Sequence, residues 1–228
     1  PALVAEHRRE LVALAEHLDT EVISADSLQV YKYFDIGTAK PSLEARQRVV
    51  HHLVDILEPD VEFTAFDFKV RALACARELA RKGKIPILVG GTGLYLKVLT
   101  QDFDCAVQVT PEIRGRVKAE IQQRGTEAMY AQLAGIDADY ASRISPTDPL
   151  RIERALAVYY QTGQRFSEFH ASEVPMEREF SAHYYIFKKD RKQLYADIDQ
   201  RTDTMMQRGL LDEVKQLLDR GFLKNLKP

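Results

Sequence analysis

A chain of 228 residues with 45% apolar and 29% charged side chains has the composition of a globular protein, with room for one substantial core or a domain carrying an insertion. A formal net charge of −2 offers no global field to draw a polyanion, so any nucleic acid must meet a local basic face. No apolar run approaches a membrane span and no N-terminal stretch has a signal peptide's order; Cys75 and Cys105 are too few for a disulfide framework and read as free thiols of a reducing compartment.

Leu11, Leu14, Ala15 and Leu18 recur at helical spacing and predict a helix over 6–18. Val22 and Ile23 then predict a strand at 21–24 that stops at the polar stretch Ser24, Ala25, Asp26, Ser27. A buried strand feeding a polar turn is where open α/β sheets place ligand-handling side chains. Asp26 fits that ligand-handling role and, equally, the plainer one of an Asx-turn or helix cap, and spacing alone leaves the two readings even. A second polar segment, DIGTAKP at 35–41, follows almost at once, and the order helix, strand, turn is that of a βαβ unit lacking its first strand. A polar helix is expected from Leu43 to about residue 50 and a short strand over 51–57. The neighbours His51 and His52 invite a metal reading, but consecutive strand residues face opposite ways, which argues against one shared ion.

Residues 64–82 form the clearest helical pattern, with Phe66, Val70, Leu73, Ala74, Ala76, Leu79 and Ala80 as its apolar face, Thr64 as its cap and Gly83 as its stop. Residues 84–89 are apolar on both faces, which predicts a central, parallel strand. It runs through Gly90, Gly91, Thr92 and Gly93 into a helix. Amides exposed at a helix start favour an anion such as phosphate, while a tight turn needing glycine for its geometry is the plainer explanation.

From Thr110 the periodicity is helical, with segments at 111–124, 126–134, 137–143 and 147–162. Arg151 and Arg154, three apart, are neighbours on their helix; phosphate contact and a solvated, salt-bridged face explain them equally. Strand character returns at 183–187, followed by helices over 190–207 and 210–218. The organisation expected is an α/β core at 1–110 and 176–228, with a helical insertion at 111–175.

Five segments in order, ISADSLQVYKYFDIGTAKPS (23–42), HHLVDI (51–56), ILVGGTGLYL (87–96), SRISPTDPLRIERALAVYYQTG (142–163) and LYADIDQRTDTMMQRGLLDEVKQLLDRG (194–221), resemble those of tRNA dimethylallyltransferases. The resemblance spans nearly the whole chain. It implies a P-loop-NTPase-like α/β fold, a parallel-sheet core with an all-helical insertion that grips the tRNA anticodon stem-loop. The implied reaction is attack by adenine's exocyclic amine on dimethylallyl diphosphate. By position, Asp26 matches the general base, Thr92 with Gly91 the diphosphate side, and Arg201 a residue that neutralises the leaving diphosphate. Ser27, Leu28 and Gln29, with Asp26, match the tRNA side of the site. Arg114, Leu150, Arg151, Ile152, Glu153 and Arg154 match where the insertion meets RNA. Mg²⁺ as cofactor, a cytoplasmic location and a monomeric state are further expectations of the resemblance.

One family pattern is missing. GxTxxGK followed by Ser or Thr is expected before the first helix, where residues 1–9, PALVAEHRR, carry neither glycine nor lysine. Either the chain is part of a longer protein whose phosphate loop lies upstream, which is the expectation, or it is a homologue unable to bind the donor. The rival functions are an adenylate isopentenyltransferase acting on a free nucleotide, a non-catalytic RNA-binding homologue and, with least support, a small-molecule P-loop kinase.

Overall fold

Three short parallel strands and the helices around them carry the chain's polar turns to one edge of a sheet. The structure is a computed structural model that describes residues 2–100, 107, 109–171, 180–186 and 188–222. In chain order these form α1 (Ala2–His17), β1 (Val22–Ser24), α2 (Leu43–Arg48), β2 (His51–His52), α3 (Ala65–Arg81), β3 (Ile87–Val89), α4 (Gly93–Thr100), α5 (Pro111–Arg124), α6 (Thr126–Ile136), α7 (Ala138–Ala141), α8 (Pro149–Thr162), α9 (Phe166–Ala171), α10 (Arg191–Gln207) and α11 (Leu210–Asp219). Two compact units result, one of Pro1–Thr100 with Phe180–Pro228, the other of Gln101–Glu179. The α/β class with a parallel sheet and an all-helical insertion is the fold expected from the sequence.

In the first unit the strand order is β2-β1-β3, all parallel. β1 is buried along its whole length, and its Val22 packs with Val12 and Ala15 of α1 and with Val49. Ala15 is buried as expected, but Leu14 and Leu18 are exposed, and Val12 turns inward beside Ala15 instead. α3 departs in the same way: Leu79 is buried as expected, but Phe68 and Ala72 join it while Val70 is exposed. Its start is as expected. Thr64 accepts from the amide of Asp67 and the Asp67 carboxylate accepts from that of Thr64, a reciprocal capping box.

Two strands are shorter than expected and one is absent. β2 ends at His52 because Leu53 and Asp55 adopt left-handed backbone, with φ of 61° and 58°, and break the extended run. β3 is an edge strand of the described sheet, not a central one: β1 takes the middle, and Val89 stays 36% exposed. The strand expected at 183–187 does not form over 183–186, where Tyr184, Tyr185 and Ile186 are exposed and no ladder reaches them among the described residues; residue 187 lies outside the described set, as does Cys105. Cys75 is a free thiol.

The second unit has its own core. Val117 of α5, Met129 and Leu133 of α6, and Ile152, Ala155 and Leu156 of α8 are fully or almost fully buried together. Prolines in the first turns of α5 and α8 follow capping side chains at Thr110 and Asp148. Among the described residues no helix is long and apolar enough to cross a membrane.

Candidate active site

The carboxyl ends of β1 and β3 lie side by side, in the register Ser24 to Val89, so the turns that follow them meet at one sheet edge. They interlock through the backbone. The Ala25 amide donates to the Val89 carbonyl (2.7 Å), and the Thr92 amide donates to the Ala25 carbonyl (3.2 Å). Gly90 lies so close to Ala25 that a Cβ there would meet its carbonyl oxygen at 2.1 Å. Close backbone approach, not a left-handed φ, is what requires glycine at this position.

Side chains continue the interlock. The Ser27 amide donates to Thr92 Oγ1 (3.0 Å), and that hydroxyl donates a longer bond of 3.4 Å to Ser27 Oγ. Asp26 Oδ1 accepts from the amides of Leu28 (2.9 Å) and Gln29 (3.3 Å). This is the Asx-turn of the plainer reading. It fixes the carboxylate's orientation, and among the described residues its other oxygen, Oδ2, accepts no hydrogen bond. The buried Gln29 side chain spans the turn: its Oε1 accepts from Ser24 Oγ (3.3 Å) and its Nε2 donates to the Thr38 carbonyl (3.2 Å).

Thr92 is placed by the helix it precedes. Its carbonyl accepts from the amides of Tyr95 and Leu96, and Tyr95 is buried and stacked on Phe68 of α3 at 4.0 Å between ring centroids. Burial first, with nearby negative charge after it, pushes the Tyr95 phenol up to about 12, so it stays neutral.

The DIGTAKP segment is braced from within by a buried ionic cluster. Lys40, its side chain 3% exposed, pairs with Asp35 and with Asp55, and Arg46 donates to Asp55 at 2.5 Å. Burial pushes the Asp55 carboxyl up, but the hydrogen bonds from Lys40 and Arg46 outweigh it and hold the group below the ordinary carboxylate range. Of the histidine pair, His52 Nε2 meets Glu21 Oε2 at 2.5 Å and His51 Nδ1 lies 2.8 Å from the Val49 carbonyl oxygen.

Of the residues singled out from the sequence, Asp26, Ser27, Leu28, Gln29, Gly91 and Thr92 come together at this edge. Arg201 is exposed on α10, and among the described residues no hydrogen bond or ion pair ties it to the two turns. In the helical unit Leu150 and Arg151 are exposed, with Arg151 turned back to Asp148 at 3.4 Å. Arg114 pairs with Glu153 at 3.1 Å, and Arg154 donates to the Val107 carbonyl. Ile152 is wholly buried and Glu153 nearly so, so the Ile152 side chain serves the core of the unit. Glu213, which accepts from three backbone amides at 35–37, was not legible in the sequence, because its partners lie 176 to 178 residues away.

Residues 29–228 match the family model described as IPP transferase. The chain is 40% identical over 216 residues to a tRNA dimethylallyltransferase of Alkaliphilus oremlandii, covering 94% of this chain and 69% of that protein. It is 39% identical over 216 residues to one of Thermotoga maritima, covering 95% and 70% respectively. Among solved structures it resembles a eukaryotic dimethylallyltransferase acting on tRNA, with a TM-score of 0.76 and 28% identity over 97% of this chain and 55% of that one. It also resembles the tRNA isopentenylpyrophosphate transferase of Bacillus halodurans, with a TM-score of 0.57 and 34% identity over 95% and 67%.

Proposed function

The chain belongs to the IPP transferase family, and from that premise we propose that it transfers a dimethylallyl group from dimethylallyl diphosphate to the exocyclic amine of the adenine 3′ to the anticodon of tRNA, with Asp26 as the general base. The observation that carries this is the interlock of the Asp26 and Thr92 turns, which presents an oriented carboxylate and a hydroxyl at one sheet edge.

An amine conjugated to the adenine ring is a weak nucleophile, and it needs a proton acceptor within hydrogen-bond reach. Asp26 Oδ1 is held by its own turn, which leaves Oδ2 for the amine's proton. The amine nitrogen bonds to the first carbon of the dimethylallyl group as the carbon–oxygen bond breaks. The diphosphate leaves with the electron pair and the proton passes to Asp26. Charge growing on the diphosphate is the main quantity to stabilise. The Thr92 hydroxyl suits that task because its bond to Ser27 Oγ is long, at 3.4 Å, and its proton can swing to a diphosphate oxygen at little cost. Arg201, exposed on α10, brings a planar fork of donors to the leaving group. Mg²⁺ bound with the diphosphate would add to the neutralisation of that charge.

The helical unit takes the anticodon stem-loop. Arg114, Arg151 and Arg154 provide phosphate contacts around Leu150, and the target adenine leaves the loop's stack to reach the acceptor turn of Asp26 to Gln29. The protein acts as a monomer in the cytoplasm.

Asp26→Asn separates the two roles of this residue. The amide oxygen still accepts from the turn, so stability and tRNA affinity stay close to those of the unsubstituted protein. Transfer in a single turnover falls by about 10²–10⁴-fold. A variant that turns over normally overturns the base assignment.

A further inference from the structure

The first turn of α11 grips the turn at 35–37. Glu213 Oε2 accepts from the amides of Asp35 (2.8 Å) and Ile36 (2.6 Å), and Oε1 accepts from that of Gly37 (3.0 Å). Three successive amides converging on one carboxylate form an anion-holding concavity, and charge assistance makes such bonds about twice as strong as neutral ones. The fit is close. A Cβ on Gly37 would lie 3.2 Å from Leu210 Cδ1 and 3.5 Å from Glu213 Oε1, so a side chain there would press on α11. Beyond the other end of α11, the Arg220 guanidinium lies over the Tyr33 ring at 4.2 Å, with Phe222 beside it.

The gripped turn is one residue from the site's own scaffold. Residue 38 follows directly, and its carbonyl accepts from Gln29 Nε2. Gln29 in turn accepts from Ser24 Oγ, at the end of β1, and its backbone amide is one of the two donors that orient the Asp26 carboxylate. A hydrogen-bonded path therefore runs from Glu213 through residues 35–38 and Gln29 to Asp26. We propose that Glu213 is a positioning residue for prenyl transfer: it fixes the 35–38 turn so that Gln29 holds the Asp26 carboxylate toward the acceptor amine. The inference rests on the role given to Asp26 above.

The path is testable because it predicts coupling and not only stability. Glu213→Gln keeps the size of the side chain but points an NH2 group at backbone amides, and Glu213→Asp keeps the charge with a shorter reach. In the complete protein, with saturating tRNA and dimethylallyl diphosphate at a temperature where every variant is folded, Glu213→Gln lowers the single-turnover rate between about 10- and 100-fold. Glu213→Asp recovers part of that loss, and donor affinity stays unchanged. Amide exchange accelerates in Glu213→Gln at residues 35–37 and also at Gln29. Faster exchange at 35–37 with Gln29 and the rate unmoved overturns the proposal, and so does a rate loss equal to the unfolded fraction. If the unsubstituted protein transfers nothing to tRNA, the catalytic reading falls separately, and exchange at Gln29 still decides whether Glu213 controls the turn.

Discussion

Gly90→Ala places a methyl group where the structure has backbone. Its carbon would sit 2.1 Å from the Ala25 carbonyl oxygen, 2.3 Å from the carbonyl carbon and 2.8 Å from Cα. None of these atoms is the end of a flexible side chain, so the ends of β1 and β3 must separate. Four hydrogen bonds join the two turns across that seam: Ala25 amide to Val89 carbonyl, Thr92 amide to Ala25 carbonyl, Ser27 amide to Thr92 Oγ1, and Thr92 Oγ1 to Ser27 Oγ. Overpacking costs about 1–3 kcal/mol and each strained bond about 0.5–1.5 kcal/mol, so with two of these bonds strained a loss of about 2–6 kcal/mol is expected. That is a large part of a typical stability of about 5–15 kcal/mol. Gly91→Ala is the control, since a Cβ there meets nothing within 4 Å; it changes stability by no more than about 1 kcal/mol. Urea unfolding reads both as shifts of midpoint at constant slope. Gly90→Ala unfolding at the original midpoint, or both variants losing equally, refutes the close-approach argument.

Three further outcomes follow from the same geometry. The hydrogen bond with Cys75 first, and that with Glu21 against the pull of burial, hold the His52 imidazole up at about 9, above its ordinary 6.5. Its stabilisation is therefore complete below about pH 6.5 and lost as pH rises through about 9, so urea midpoints fall across that window in the unsubstituted protein and not in His52→Gln; parallel curves contradict this. Asp55→Asn removes a carboxylate partner from the buried Lys40 and costs about 3 kcal/mol at pH 7. Because the Asp55 carboxyl is held low, its contribution is present above the ordinary carboxylate range and disappears as pH falls below it, so the two proteins converge in acid; an unchanged midpoint at pH 7 sinks the assignment. Replacing Arg151 and Arg154 with Ala weakens tRNA binding and reduces the slope of log affinity against log salt by about 1–2, whereas an unchanged slope returns both to the helix surface.

What the sequence made legible was local. Thr64 and Gly83, the latter left-handed at φ 72°, mark the ends of α3 by rules that act within one turn, and those ends fall within a residue or two of expectation. The two interlocking turns were also legible, because each is a polar stretch directly after a β-branched or apolar run. Helix faces were less so: α3 buries Phe68, Ala72 and Leu79, since several apolar stripes competed and tertiary packing chose among them. Strand lengths were overestimated where Leu53 and Asp55 turn left-handed, a choice no local composition announces. Glu213 was hidden for a different reason. An acidic residue in a helix's first turn reads as an ordinary response to the helix dipole, and only the fold brings the amides of 35–37 to it.

If the Asp26 and Thr92 turns serve an adenine presented by tRNA, the complete protein discriminates between tRNA and a free nucleotide. The most direct test offers the complete protein radiolabelled dimethylallyl diphosphate with an unmodified tRNA in one reaction and AMP in another. Label on the adenine 3′ to the anticodon and none on AMP is the predicted result. Label on AMP with tRNA untouched contradicts it.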